Sequence, residues 1–311
     1  MPLDDYRITS GKRFSLAGFD PGSKPFTQGD KQDDQDRIAQ LSTELDLEQD
    51  IFYAEHRRKI LVVLQGMDTS GKDGTVRSVF RSFDPLGIRV VSFKAPTPEE
   101  LARDYLWRVH QQVPRAGEIV LFNRSHYEDV LITRVHGWID DDECERRYRQ
   151  IRAFETLLTE TGTTIVKCFL HISKDEQKSR LEARLADPQK QWKFDPTDLA
   201  ERKHWKAYMD AYESAIAATS TPECPWYIVP ADSKTHRNLM VAEILSEVFR
   251  QLKPAYPPPH HSWSPLPRCT SWVTNGCSRV GMASQCGWRS VSRMSSSPLD
   301  QCSCMASEPN W

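Results

Sequence analysis

The stretch "VVLQGMDTSGKDGTV", residues 62–76, decides the fold. Its apolar residues lead into Gly66, and Gly71 and Lys72 follow at the spacing of a Walker A loop, whose backbone N–H groups and lysine bind phosphate. Asp73 stands where such loops carry the Ser or Thr that ligates magnesium. The stretch therefore predicts a buried strand, a phosphate-binding loop and a helix, with a metal held by another carboxylate nearby.

The composition predicts a globular protein. The 311 residues are 39% hydrophobic, which is ample for a packed core, and their formal net charge is −2. A polyanion would therefore have to meet a local basic surface, and nucleic acid is not an expected partner. Because the sequence has no apolar run of membrane-spanning length and no apolar segment near its N-terminus, we expect a cytoplasmic protein without a membrane partner.

Five short apolar runs, separated by helical patterns, predict the sheet. They are rich in β-branched residues and do not alternate with polar ones, which is typical of strands buried on both faces by crossover helices. The runs are "KILVVLQ" (59–65), "IRVVSF" (88–93), "EIVLFN" (118–123), "TIVKCFLHI" (164–172) and "WYIVPA" (226–231). The predicted fold is α/β, a three-layer α/β/α sandwich around a parallel five-stranded sheet. Capping boxes at Thr97 with Glu100 and at Ser173 with Glu176 predict two helix starts.

Composition also divides the chain into three parts. Residues 1–34 are polar and predict an extended arm, and residues 35–254 carry the alternating strand and helix patterns of one domain. Residues 255–311 contain no Lys, Ile or Phe and are rich in Cys, Ser and Pro, which predicts a disordered or extraneous tail. A disulfide or metal module there is the alternative, but no paired-cysteine or zinc-type spacing supports it.

Polar side chains follow the first and third strands, whose carboxyl ends form the ligand-binding edge of such a sheet. Asp68 lies at the tip of the loop and is able to reach a metal that bridges phosphates, whereas Asp73 is predicted to anchor the loop. The third strand ends in Asn123 and Arg124, and arginine binds phosphate through two N–H groups. The alternative is a strand-end cap followed by a surface arginine, but residues at this edge usually face the ligand.

Residues 174–199 predict a mobile basic lid. Arg180 and Arg184 are one helical turn apart, and Lys190 and Lys193 follow in a loop framed by prolines. Arginines at this spacing usually form a solvated face that pairs with acids on the same helix. Beside a phosphate loop the lid is the better interpretation, because phosphoryl transfer needs positive charge delivered to a closed site.

Four motifs in order resemble the polyphosphate kinase 2 family over residues 35–254. They are "GMDTSGKDGTV", "NRSHYEDV", "RLEARLADPQKQWKFDPTD" and "PWYIVPADSKTHRNL". The resemblance implies a P-loop kinase-like fold with a helical lid and an Asp after the loop lysine. It further implies phosphoryl transfer from inorganic polyphosphate to a nucleotide with Mg²⁺, or Mn²⁺ in its place.

The resemblance extends to one subgroup of the family. "RSHYED", together with "RDYLWRVH" at 103–110, is similar to the subgroup that accepts AMP as well as ADP. Many members have Asp where this chain has Asn123 and Asn where it has Glu128, so Asn123 is a doubtful metal ligand and Glu128 is predicted to select the acceptor. The expected partners are polyphosphate, AMP, ADP and ATP, and a homo-oligomer, either a dimer or a tetramer, is expected.

The predicted site combines the loop, the third strand and the lid. Lys72, Arg124 and Arg184 are expected to clamp the migrating phosphoryl group, and Asp68 to hold the metal. The predicted phosphate-binding residues are Gly66, Gly71, Lys72, Asp73, Gly74, Thr75, Arg77, Arg180, Lys190 and Lys193. Two alternatives stay open: an ATP-dependent nucleoside monophosphate kinase, which normally has Ser or Thr at position 73, and a non-enzymatic nucleotide-binding regulator.

Overall fold

The computed structural model describes residues 3–12 and 14–258. The tail predicted at 255–311 lies outside the described residues from position 259 onward. No helix long and apolar enough to cross a membrane occurs in the described part of the chain.

One six-stranded sheet organises the described chain. Its strands are β1 Arg7–Ile8, β2 Lys59–Gln65, β3 Ile88–Ser92, β4 Ile119–Asn123, β5 Thr163–His171 and β6 Trp226–Pro230. They lie in the order β1-β6-β5-β2-β4-β3; β2 to β6 are parallel, and β1 pairs antiparallel with β6. The five predicted parallel strands are therefore confirmed. The sixth strand comes from the N-terminal residues, which are not simply an extended arm.

Ten helices flank this sheet in the described residues. They are α1 Lys31–Glu55, α2 Lys72–Val79, α3 Pro98–Leu101, α4 Trp107–His110, α5 Glu128–Val135, α6 Asp141–Glu160, α7 Lys174–Ala186, α8 Pro196–Lys203, α9 Trp205–Thr219 and α10 Lys234–Leu252. Helix α10 contacts both α1 and α2, and α5, α6 and α9 contact one another as a second group. These two groups are the outer layers of the predicted sandwich.

The central strand β2 positions the functional loop. It pairs with β4 on one side and β5 on the other, so that Val62 lies between Leu121 and Val166 in the hydrophobic core. The side chains of β4 are almost as completely buried, as predicted. The prediction of burial on both faces is wrong for β3, because this strand forms the sheet edge and Val90 is 46% exposed.

One helix start and one capping box differ from the predictions. α1 begins at Lys31, before the predicted boundary at residue 35, because Asp30 caps its first turn and forms a capping box with Asp33. The box at Thr97 is confirmed. Ser173 accepts from the Glu176 amide, but the Glu176 carboxylate bonds to Arg180 instead of returning to the cap.

Candidate active site

The loop between β2 and α2 has the backbone of a phosphate cradle. Gly66 has φ +149° and Gly71 has φ +107°, in the region that favours glycine. α2 begins at Lys72, and no side chain within the described chain caps its first turn, so the backbone N–H groups there are available to an anion. A Cβ atom at Gly71 would lie 1.9 Å from Nη1 of Arg237, which leaves no room for a larger residue.

Lys72 lies inside this loop. Its Nζ donates to the Gly66 carbonyl at 2.6 Å and reaches the Met67 carbonyl at 3.4 Å, and the residue is 9% exposed. Burial lowers the pKa of the Lys72 ammonium, an effect that the carboxylates of Asp68, Glu128 and Asp73 oppose. A phosphate oxygen would compensate this charge more fully than two carbonyl groups do.

The two aspartates of the loop bond to different residues at the carboxyl end of β4. Asp68 Oδ1 accepts from Arg124 Nη2 at 2.9 Å, and Asp73 Oδ1 accepts from Asn123 Nδ2 at 2.7 Å. The Asp73 bond joins the first turn of α2 to the end of β4, which is the anchoring function predicted for it. Asp68 and Arg124 are 27% and 47% exposed, so they face the opening of the loop.

Two buried arginines brace the loop from behind. All five N–H groups of Arg180 donate: to the carbonyls of Thr69, Ser70, Ala231 and Asp232, and to the Glu176 carboxylate. The phosphate-binding function predicted for Arg180 is therefore not what its side chain does here, because every donor is engaged with protein.

The second of these arginines is Arg237. It donates to the Ser70 carbonyl at 3.1 Å and to the Thr75 hydroxyl at 2.9 Å. Burial, reinforced by the neighbouring charge of Arg180, lowers the pKa of Arg237 to about 9. Thr75, predicted to bind phosphate, is buried and uses its hydroxyl in this brace.

The predicted lid forms the opposite wall. It comprises α7, a 3₁₀ turn at Gln191–Lys193 and the start of α8. Arg184 of α7 lies 3.6 Å from the carboxylate of Asp198 on α8. Burial raises the pKa of Asp198 to about 6, and the charge of Asp68 adds to this shift while Arg184 opposes it. Arg184, Asp198 and Asp68 therefore share one space.

Loop and lid enclose a cleft of about 710 Å³. Eight Lys or Arg side chains and four Asp side chains line it, so its walls are net positive although the whole chain is not. The cations are Lys72, Lys94, Arg124, Arg180, Arg184, Lys190, Lys234 and Arg237, and the acids are Asp68, Asp73, Asp195 and Asp198. Such a cleft suits a highly charged anion.

Residues 28–256 match the family model described as Polyphosphate kinase 2. The chain belongs to the polyphosphate kinase 2 family. A curated relative named AMP/ADP-polyphosphate phosphotransferase, from Meiothermus ruber, is 52% identical over 83% of this chain and 96% of its own. The ADP-polyphosphate phosphotransferase of Rhodopseudomonas palustris is 41% identical over 81% of this chain and 91% of its own.

A solved structure supports the same assignment. The polyphosphate kinase 2 of Arthrobacter aurescens TC1 is 48% identical, with a TM-score of 0.80 over 83% of this chain and 92% of its own. The predicted family, its α/β fold and its class of enzyme, a phosphotransferase, are thus confirmed.

In this polyphosphate kinase 2 chain, the structure brings most of the predicted residues together. Lys190 lies on the cleft wall and pairs with Asp187, and Gly74 lies on the α2 side. Arg77 is exposed on the last turn of α2, and the side chain of Lys193 lies outside the described part. Sequence reasoning missed Lys94, Asp195 and Asp198. The only available signal was their position directly after β3 and within "KFDPTD".

Glu128 begins α5 behind Arg124. The Gln65 amide donates to its Oε1 at 3.1 Å and accepts from the Ser125 amide and hydroxyl at 3.0 Å. Burial raises the pKa of the Glu128 carboxyl, whereas the cations Arg124 and Lys72 lower it. The Glu128 carboxylate, beside the phosphate loop, therefore partly neutralises the positive charges of Arg124 and Lys72.

Proposed function

We propose that this chain is a polyphosphate-dependent nucleotide kinase that transfers the terminal phosphoryl group of inorganic polyphosphate to AMP and to ADP. The M. ruber relative carries both acceptors in its name, and the R. palustris relative carries ADP. A polyphosphate:AMP phosphotransferase from Acinetobacter johnsonii is 34% identical over 63% of this chain. The predicted cytoplasmic location stays a prediction.

The observation that carries the proposal is the convergence of three cations on one space. Lys72 comes from the loop, Arg124 from the end of β4 and Arg184 from the lid. Phosphoryl transfer proceeds through a loose transition state with charge spread over the equatorial oxygens, so position and charge neutralisation supply most of the catalysis. In the proposed reaction these three side chains clamp the migrating group, and the backbone N–H groups of α2 hold the adjacent phosphate.

The donor set of the cleft fits Mg²⁺ as the cofactor. The described residues include no group of three or more His, Cys, Asp or Glu side chains able to hold a metal alone. Mg²⁺ does not require one, because it keeps several waters and binds through one or two carboxylates plus substrate phosphates. Asp68, four residues before Lys72 and facing the cleft, is the proposed carboxylate ligand. The ion supplies neutralisation of phosphate charge when bound.

Acceptor selection is assigned to Glu128. Its negative charge opposes the additional charge of ADP by about 1 to 2 kcal/mol, while it leaves AMP less affected. We expect Glu128→Asn to shift the ratio of kcat/KM for AMP to kcat/KM for ADP several-fold towards ADP, because the amide carries no charge that opposes ADP. Initial rates with polyphosphate in excess test this, and equal changes for the two acceptors would remove Glu128 from acceptor selection.

The phosphoryl donor is identified by supplying polyphosphate and ATP in separate reactions. Purified protein with AMP and Mg²⁺ receives either polyphosphate or ATP at matched phosphate concentration, and ADP formation is followed. Polyphosphate is expected to support turnover at least tenfold faster than ATP. Faster turnover with ATP would favour the nucleoside monophosphate kinase instead.

A further inference from the structure

A buried ion pair lies beneath the active-site edge of the sheet. Lys167, in the middle of β5, and Glu155, on α6, are 0% and 2% exposed, and Lys167 Nζ lies 2.6 Å from Glu155 Oε2. The other two ammonium protons reach the Thr219 carbonyl at 2.9 Å and the Tyr127 hydroxyl at 3.2 Å. Removing two charges from water is costly, and an apolar pair of similar volume usually serves stability as well or better. Stability alone therefore does not account for this pair.

The second carboxylate oxygen of Glu155 faces the segment between Arg124 and Glu128. The Tyr127 hydroxyl donates to Glu155 Oε1 at 2.7 Å, and His126 Nε2 lies 3.3 Å from the same atom. The rings of His126 and Tyr127 are both buried. The side chains on either side of this buried dipeptide, Arg124 and Glu128, are those assigned to phosphate and to the acceptor.

This segment needs support, because its first residue has an unfavourable backbone. Arg124 has φ +66°, a left-handed conformation that non-glycine residues adopt only when the surroundings hold them there. Gln65, the last residue of β2, holds the segment from the loop side through Ser125 and Glu128. Glu155 holds it from the opposite side, through His126 and Tyr127.

We propose that the Glu155–Lys167 pair, acting through Tyr127 and His126, is a positioning device that fixes Arg124 and Glu128 against the phosphate loop during phosphoryl transfer. The proposal rests on the proposed function, since its effect is on the rate of that reaction. A guanidinium placed 1 Å from its productive position loses much of its effect on the transition state but still attracts phosphate. The device therefore acts on kcat more than on either KM.

The first test is Tyr127→Phe, which keeps the ring and removes the hydroxyl. We expect kcat to fall about tenfold, as for other residues that orient a catalytic group from behind, with both KM values within about threefold of wild type. Tyr148→Phe is the matched control, because it removes another buried tyrosine hydroxyl, which contacts Arg134 and belongs to the same helix as Glu155. Its kcat is expected to stay within twofold of wild type.

The second test separates positioning from stability. The double variant Glu155→Leu with Lys167→Met replaces the pair by apolar groups of similar size, so its melting temperature should match or exceed that of wild type. Its kcat is nevertheless expected to fall at least tenfold. An unchanged kcat in a folded double variant, or in Tyr127→Phe, would overturn the proposal. If the double variant does not fold, Tyr127→Phe decides alone.

The wild-type protein distinguishes failure of the proposed function from failure of the positioning device. Wild-type protein that folds but shows no polyphosphate-dependent transfer to AMP or ADP would contradict the proposed function before any variant is compared. Active wild-type protein with unaffected Tyr127→Phe would contradict only the positioning device.

Discussion

At the scale of single residues, Asp73 explains how this loop differs from a standard nucleoside triphosphate loop. The residue that would carry a metal-binding hydroxyl instead carries a carboxylate that accepts from Asn123 at 2.7 Å. Its charge is thus directed at an amide of β4 rather than at the phosphate position. Asp68, the other loop carboxylate, remains at the opening beside Arg124. The loop therefore keeps its cationic lysine, and the carboxylate proposed to bind the metal is at position 68 instead of position 73.

Gly71 provides the residue-scale prediction. Gly71→Ala adds a methyl group in a strained φ and against Arg237, so the loop should shift and activity should fall at least about 100-fold. Gly74→Ala is the matched control, because the nearest atom to its added Cβ is Arg237 Nη2 at 3.1 Å and its φ is not left-handed. It should retain activity within about tenfold. Steady-state rates and far-ultraviolet circular dichroism of both variants test this, and equal losses would contradict the assignment.

At the scale of elements, a charge contact joins two helices of the predicted lid. Arg184 of α7 lies 3.6 Å from Asp198 of α8, within the cleft. Polyphosphate entering the cleft offers Arg184 a more highly charged partner than a single carboxylate. The lid is thus expected to exchange a protein contact for a substrate contact as it closes.

Removing the lid arginine should therefore slow the reaction. We expect Arg184→Ala to lower kcat about 100-fold or more while the KM for polyphosphate changes less than tenfold, because the charge is needed most in the transition state. Lys178→Ala, on the exposed face of the same helix, is the control and should leave kcat unchanged. A large rise in KM with unchanged kcat would assign Arg184 to ground-state binding instead.

The N-terminal residues supply a second prediction at this scale. His236 of α10 is fully buried, and its Nε2 accepts from the Phe26 amide at 3.3 Å. Burial lowers the pKa of His236 to about 4, although the Asp34 carboxylate opposes this shift. The unfolded chain binds this proton near pH 6.5, so stability is lost as the pH falls from about 6.5 towards 4.

His236→Gln removes this titration and keeps an acceptor for Phe26. Between pH 7 and pH 5, the wild type should lose about 1 to 2 kcal/mol more unfolding free energy than the variant. Urea denaturation at both pH values measures the difference. Parallel losses in the two proteins would show that His236 does not titrate as inferred.

The strands and helices also differ in how well the sequence predicts them. The five parallel strands were predictable because a buried apolar run constrains the chain locally, and "KILVVLQ" matches β2 residue for residue. The two-residue strand Arg7–Ile8 was not, since it exists only through pairing with β6. Arg180 and Arg184 lie one turn apart on the same helix, yet Arg180 braces the loop whereas Arg184 faces the cleft. Tertiary contacts distant in sequence decide this difference.

At the scale of the whole molecule, positive charge is concentrated in the cleft although the chain as a whole is slightly acidic. The net charge is −2, but the cleft concentrates eight cationic side chains against four aspartates. A local positive field of this kind attracts a polyanion without a basic surface elsewhere. The dimer or tetramer expected from the sequence stays a prediction. Light scattering at assay concentrations measures the oligomeric state.

The central claim is that the phosphoryl group comes from polyphosphate and passes through this cleft. The most direct measurement is transfer of ³²P from terminally labelled polyphosphate to unlabelled AMP, with Mg²⁺ and without ATP, in wild type and in Lys72→Ala. We expect labelled ADP, then labelled ATP, with wild type, and at least about 100-fold less label in nucleotide with a folded Lys72→Ala protein. Absence of label in nucleotide with active wild type, or undiminished transfer by Lys72→Ala, would contradict it.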